Sequence, residues 1–198
     1  MHIMLKRDAK SLFLKSVFDV DFIGFLKKKF AKEHLVFGAR TTINRVEKGQ
    51  SVKLELPELE NLIVWAYIDQ NNISSVIITD KDYPESAVKI GLKKLVKEFY
   101  ETFPKFDESS VEKDLDLKMP QLDVLIKKFQ DPKEADKLLK VEADLDEIHV
   151  ILQKTLKDML NRGESLDELM KQSDDISTLA HQFHANAKAS NQKCCSIY

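Results

Sequence analysis

Only two cysteines occur in the 198 residues, and they are neighbours, Cys194 and Cys195, at the C-terminal end. Adjacent cysteines there cannot staple a core, so a disulfide framework is excluded and the chain is expected in reducing, cytosolic surroundings. Glycine and proline are equally scarce, five of each, which excludes collagen-like and linker-rich sequence. No stretch approaches the roughly 20 apolar residues that span a bilayer. The longest apolar run, Leu62 to Ile68, has the length of a strand. Met1 to Lys10 lacks the apolar core and small residues of a secretory signal. Acidic and basic residues nearly cancel to a net charge of −2, so there is no basic excess to attract nucleic acid. A G-x-x-x-x-G-K-[ST] phosphate loop is absent, which removes the P-loop nucleotide hydrolases.

What is present begins as an alternation of strands and helices. His2 to Lys6 and Ser11 to Phe18 read as strands. Phe22, Phe25, Leu26 and Phe30 then recur at helical spacing, with Asp21 placed to cap. Val52, Leu54 and Leu56 alternate with Lys53 and Glu55, the pattern of a half-buried strand. Leu62 to Ile68 and Ile73 to Thr79 are β-rich runs split by Asp69-Gln70-Asn71-Asn72, a hairpin signature. Pro84 opens a helix with Val88, Leu92, Leu95, Val96 and Phe99 on one face. The order β-β-α-β-β-β-α predicts an α+β domain over residues 1–103, a five-stranded antiparallel sheet with flanking helices. Residues 104–130 are more polar, contain Pro104 and Pro120, and read as a linker with weak helical segments such as Gln121 to Phe129.

A different periodicity takes over at residue 131. Asp131-Pro132-Lys133-Glu134 combines a cap, a first-turn proline and a capping-box glutamate. No proline follows, so one helix is predicted from Pro132 to about Lys188, some 80 Å at 1.5 Å per residue. Alternating steps of three and four pick out Leu138, Val141, Leu145, Ile148, Leu152, Thr155 and Met159. They continue through Arg162 to Leu166, Leu169, Ser173, Ile176, Ala180, Phe183, Ala187 and Ser190. This is a heptad seam with one charge near its middle. In a parallel homodimer Arg162 would face its own copy, and two buried like charges without partners are costly. Neutral acceptors from other helices suit its five donors better, and one polar layer fixes register.

The seam resembles the SNARE motif of the arginine class. Arg162 matches the central ionic layer, with seven layers before it and eight after. Leu160-Asn161-Arg162-Gly163-Glu164-Ser165-Leu166-Asp167-Glu168-Leu169 looks like the family's central stretch. At the end of the chain, Cys195-Ser196-Ile197-Tyr198 fits the C-a-a-X prenylation signal, and Cys194 is placed for palmitoylation. One prenyl chain holds a membrane only marginally, so a second lipid is needed for stable anchoring. Taken with Asp80-Lys81-Asp82-Tyr83-Pro84 and Asp131-Pro132-Lys133-Glu134-Ala135-Asp136, the whole is similar to the prenylated longin R-SNAREs, the YKT-type synaptobrevin homologues. The resemblance implies a longin-like, profilin-like domain, a heptad motif over 131–193 and a lipidated tail over 194–198. It implies fusion of Golgi, ER-derived, endosomal or vacuolar membranes, driven with three glutamine-class SNARE helices, and reversible attachment to their cytosolic faces. It also implies a closed form in which the longin surface, with Phe37 and the neighbouring Leu35 and Val36, holds the SNARE helix. The competing reading is a lipid-anchored adaptor whose helix only dimerises.

Catalysis finds no support in the residues. His181 and His184 stand i, i+3 but lack further ligands nearby, and Cys195 on a tail would have no preorganised pocket. No enzyme activity, metal or cofactor is expected, apart from covalent prenyl and acyl lipids. Trp65 lies in a strand and reads as core.

Overall fold

The computed structural model describes residues 1–8, 10–20, 25–55, 62–131, 135, 151–160 and 163–182. The chain divides into two compact units, Met1–Asp19 with Gly38–Met159 and Val20–Phe37 with Leu160–Tyr198. The first unit is built on a sheet. Its strands are β1 (His2–Arg7), β2 (Lys10–Ser16), β3 (Ser51–Glu55), β4 (Leu62–Ile68), β5 (Ile73–Asp80) and β6 (Leu152–Thr155). Their spatial order is β2-β1-β5-β4-β3-β6. The five expected strands pair antiparallel, and a sixth joins β3 in parallel.

The alternation of side chains explains why both faces are covered. Ile3, Leu5, Ile63, Trp65, Ile73 and Ile77 lie in one apolar cluster with Val88, Leu92, Leu95 and Phe99 of α2 (Glu85–Thr102). Trp65 and Phe99 are at most 1% exposed, and burying one large side chain is worth about 1.5–3 kcal/mol. The opposite parity, with Met4, Val52, Leu54, Val64, Ala66 and Val76, is buried as well. Lys6 shares the Met4 face, and its Nζ donates to the carbonyls of Ile43 (3.0 Å), Asn44 (3.4 Å) and Val46 at the C-terminal end of α1 (Phe25–Arg45). A cation on the last carbonyls of a helix satisfies acceptors that have no intrahelical partner. That end of α1 therefore lies over the Met4 face. Burial pushes the Lys6 ammonium below its ordinary range, partly opposed by the nearby Glu47 carboxylate.

The hairpin at Asp69-Asn72 follows from side-chain chemistry. Asp69 Oδ1 accepts from the amides of Asn71 (2.8 Å) and Ile73 (2.9 Å), and Asn72 takes φ of 64°, which asparagine tolerates.

Residues 104–130, read as a linker, carry more than weak helix. The helix α3 (Pro120–Phe129) sends Leu122, Leu125 and Phe129 into the α2 cluster, joined by Val111 and Met119. Ahead of it the backbone runs along β2, with Leu115 N donating to Phe13 O (2.7 Å) and Leu117 N to Leu14 O (2.9 Å). Asp114 fixes this register by accepting from Phe13 N (2.9 Å) and from the Arg40 guanidinium (2.6 Å).

Candidate functional site

The heptad segment is the part of the sequence with a chemical agenda. Its root is fixed to the first unit. The Tyr83 hydroxyl donates to Phe129 O at 2.7 Å, and burial, then Asp80 and Asp131, push its pKa up to about 12. The Phe129 ring fills the space beside Gly91, where any Cβ would stand 2.7 Å from it. Ala135 follows, buried in the same cluster, its amide bonded to Asp131 O at 3.0 Å.

The described residues of the segment do not form one continuous helix. Leu152, Gln153, Lys154 and Thr155 are extended and pair in register with Val52, Lys53, Leu54 and Glu55. Ile151, half-buried, packs on the core cluster. At Thr155 the chain turns into α4 (Leu156–Met159). The Thr155 amide and hydroxyl donate to Asp158 Oδ2 (2.8 and 2.7 Å), and Asp158 N donates weakly back to the hydroxyl (3.3 Å). Leu152 is 40% exposed, Thr155 is exposed and Met159 is buried, so these three seam residues share no face. The reason is energetic. A two-residues-in-seven apolar seam buries its side chains only against other helices, and a lone helix gains little from propensity.

In the second unit, Gly163 adopts φ of 92°, a left-handed conformation incompatible with helix continuation. Ser165 then starts α5 (Leu166–Gln172) with a full capping box. Its hydroxyl accepts from Glu168 N (3.2 Å), and Glu168 Oε2 accepts from Ser165 N (3.1 Å). Leu166, Ile176 and Ala180 are buried, while Leu169 and Ser173 are half-buried. The same unit contains the N-terminal part of α1, with Phe37 buried and Leu35 and Val36 half-buried. A direct link joins the two stretches: Glu33 Oε2 accepts from the Ser177 amide (3.0 Å) and hydroxyl (2.7 Å). Ser177 also begins a helical turn through Ala180 N (3.3 Å) and His181 N (3.0 Å).

Arg162, the seam residues Leu138, Val141, Leu145, Ile148, Phe183, Ala187 and Ser190, and both Cys194 and Cys195 lie outside the described residues. Three features went unseen in the sequence. The S-x-x-E box at Ser165 is a start signal inside a supposedly continuous helix, and it was there to be found. Nothing in Leu152-Gln153-Lys154-Thr155 announces a strand, and nothing marks Glu33 as a partner of Ser177. Among the described residues there is no helix long and apolar enough to cross a membrane, and no cluster of three potential metal ligands.

A longin-like sheet domain with four residues of a heptad segment paired on its edge defines a trafficking SNARE of the arginine class. The synaptobrevin family model matches residues 137–196. Over nearly the full length, the chain is 36% identical to the synaptobrevin homolog YKT6 of Saccharomyces cerevisiae (95% of this chain, 92% of that protein). It is 35% identical to the VAMP-like protein YKT61 of Arabidopsis thaliana (93% and 89%). It is 31% identical to the putative synaptobrevin homolog YKT6 of Dictyostelium discoideum (94% and 91%). The chain belongs to this YKT6-type family of synaptobrevin homologues, vesicle SNAREs of intracellular transport that act with SNARE partners at membranes.

Proposed function

We propose that the chain contributes the arginine helix of a four-helix complex with three glutamine-class SNARE helices, and that its sheet domain restrains that helix until partners arrive. The observation that carries this reading is the pairing of Leu152–Thr155 with β3. Leu152 and Thr155 are seam residues in the helical state, and a residue cannot be helical and a strand at once. The two states therefore compete, and partner helices shift the population towards the assembled one. The Glu33–Ser177 contact supports a second point of restraint. Prenyl at Cys195 and acyl at Cys194 would anchor the chain reversibly on the cytosolic face of Golgi, ER-derived, endosomal or vacuolar membranes. No enzymatic step belongs to this scheme; the work comes from helix assembly.

The test compares the full chain with the 131–193 segment alone, mixed with glutamine-class helices. The segment should assemble faster into a heat-resistant four-helix complex, and the full chain should reach the same end state. Equal rates would remove the restraint, and self-association without partner helices would favour the adaptor. Arg162→Ala should loosen register more than it weakens assembly, read by site-specific crosslinks. Cys195→Ser should leave the chain off membranes, and Cys194→Ser should leave it cycling weakly.

A further inference from the structure

The stretch Lys27-Lys28-Lys29-Phe30-Ala31-Lys32-Glu33 carries four lysines against one acid, in a protein whose net charge is −2. It lies on one helical stretch of α1, where Lys27, Lys29 and Lys32 are exposed. The Lys29–Glu33 pair is loose, at 3.9 Å, with the lysine side chain 75% exposed, so Glu33 offsets little of the charge. Within the same compact unit, residues 164–175 of the heptad segment hold five acidic residues against one lysine. The two stretches have opposite charge, and Ser177, two residues past the acidic one, bonds to Glu33 at the end of the basic one.

We propose that this lysine face of α1 is a docking surface for an anionic bilayer, which takes the place of the acidic heptad stretch when the molecule opens. The inference rests on the restraint proposed above. Charge complementarity selects the occupant. Lys28, Lys29 and Lys32 fall within about 100° of one another around α1, with Lys27 adjoining them, a basic strip of the kind that anionic headgroups attract. Near such a surface each lysine is worth about 1 kcal/mol, roughly fivefold in affinity, and the attraction decays within a Debye length. Such a surface opposes closure for the reason that the acidic stretch favours it, because both compete for the same cations. Membrane charge then becomes an opening signal, delivered where assembly has to take place.

The experiment uses the full chain without lipid modification and follows its cosedimentation with vesicles of phosphatidylcholine, with and without phosphatidylserine. Binding should require phosphatidylserine and weaken at least tenfold between roughly 0.1 M and roughly 0.5 M salt, as screening shortens. Replacing Lys27, Lys28, Lys29 and Lys32 by Gln should weaken it by about thirtyfold or more, while Arg at the same four positions should keep it. Glu33→Ala should strengthen binding several-fold by loosening the competing stretch. Equal binding to neutral vesicles, or full binding by the Gln variant, overturns the proposal. A preference for soluble heparin over vesicles at matched charge also overturns it, since the face would then be a polyanion site. Assembly of the Gln variant with glutamine-class helices in solution is measured alongside. If that assembly is normal and vesicle binding is unchanged, the docking face fails and the SNARE reading stands. If assembly itself is absent in the wild type, the SNARE reading fails.

Discussion

β4 and β6 belong to one sheet, yet their chemistry is opposite. β4 is Leu-Ile-Val-Trp-Ala-Tyr-Ile with five of its seven residues buried, while β6 is Leu-Gln-Lys-Thr with three of four exposed. β4 is a strand because its branched and aromatic side chains fill both faces of a sheet covered on each side. β6 is a strand because an open edge offered its backbone partners. The first is fixed by burial that any competing conformation would forfeit. The second is held by a few backbone bonds and the apolar foothold of Ile151, a narrow margin. A region with a core of its own folds once, whereas a region whose apolar seam needs other chains keeps two structures within reach.

The largest test of this contrast is Phe37→Glu. Phe37 is 6% exposed in the unit that holds residues 164–182, and losing a buried phenylalanine alone costs about 3–5 kcal/mol. The variant should raise hydrogen exchange over 164–182 and speed assembly with partner helices, with β4 and β5 still protected. Protection lost equally in the central strands would erase the distinction between the two regions.

Gly163→Ala sharpens it from the other side. At φ of 92° an alanine is strained by about 1–2 kcal/mol, and in a helix it is favoured over glycine by about 1 kcal/mol. No atom lies within 4 Å of the added Cβ, so the effect is conformational and not a clash. Both terms favour the assembled helix, and stopped-flow mixing should show faster assembly. A slower rate would mean that the left-handed turn is not part of the restrained state.

Acid should act on the sheet through His2. His2 is fully buried in β1, its Nδ1 2.9 Å from Ser16 Oγ, between the rings of Phe13 and Phe18 at 5.3 and 5.2 Å. Burial first, then the charge of the N-terminus, pushes its pKa well below the ordinary value. The unfolded chain then binds a proton that the folded one refuses. The contribution of His2 is therefore full above the unfolded pKa of 6.5 and is lost as pH drops beneath it, by up to about 1.4 kcal/mol per unit, and the buried Met1 amine, pushed down to about 5, adds to the loss from pH 8 downwards. The denaturant midpoint of the wild type should fall more steeply towards acid than that of His2→Leu. Identical acid slopes would contradict this assignment.

The smallest expected change is Glu33→Gln. The amide oxygen still accepts from Ser177, so only the charge assistance is lost, about 1 kcal/mol. Assembly should quicken by a few-fold, and an unchanged rate would place the restraint elsewhere.

How much of this could be read beforehand follows the same division. The strand Leu62–Ile68 is observed at its expected bounds, and α2 lies where Val88, Leu92, Leu95 and Phe99 placed it, because periodicity reports burial. The helix at 120–129 was visible as a pattern, but its place in the core was not. Leu122, Leu125 and Phe129 gain their meaning from Gly91, 38 positions before Phe129, and no local window spans that distance. The extended course of Leu152–Thr155 was hidden for a deeper reason. Its side chains follow the heptad spacing, while its pairing with β3 uses only peptide groups, which every residue has.

That anonymous pairing governs how long the molecule can wait. In the proposed opening, departure of residues 152–155 would strip the outer N–H and C=O groups of Ser51–Glu55 of their partners, and a bare sheet margin is a template for any extended chain. The far side of the sheet does not share this exposure, because Asp114–Leu117 stays fastened along β2. Among the described residues an opened copy would therefore be adhesive along the β3 rim, where two such copies would join. Release without capture would then lead to blocked pairs. Partner supply sets a deadline on activation, and the deadline shortens as the concentration of opened copies rises.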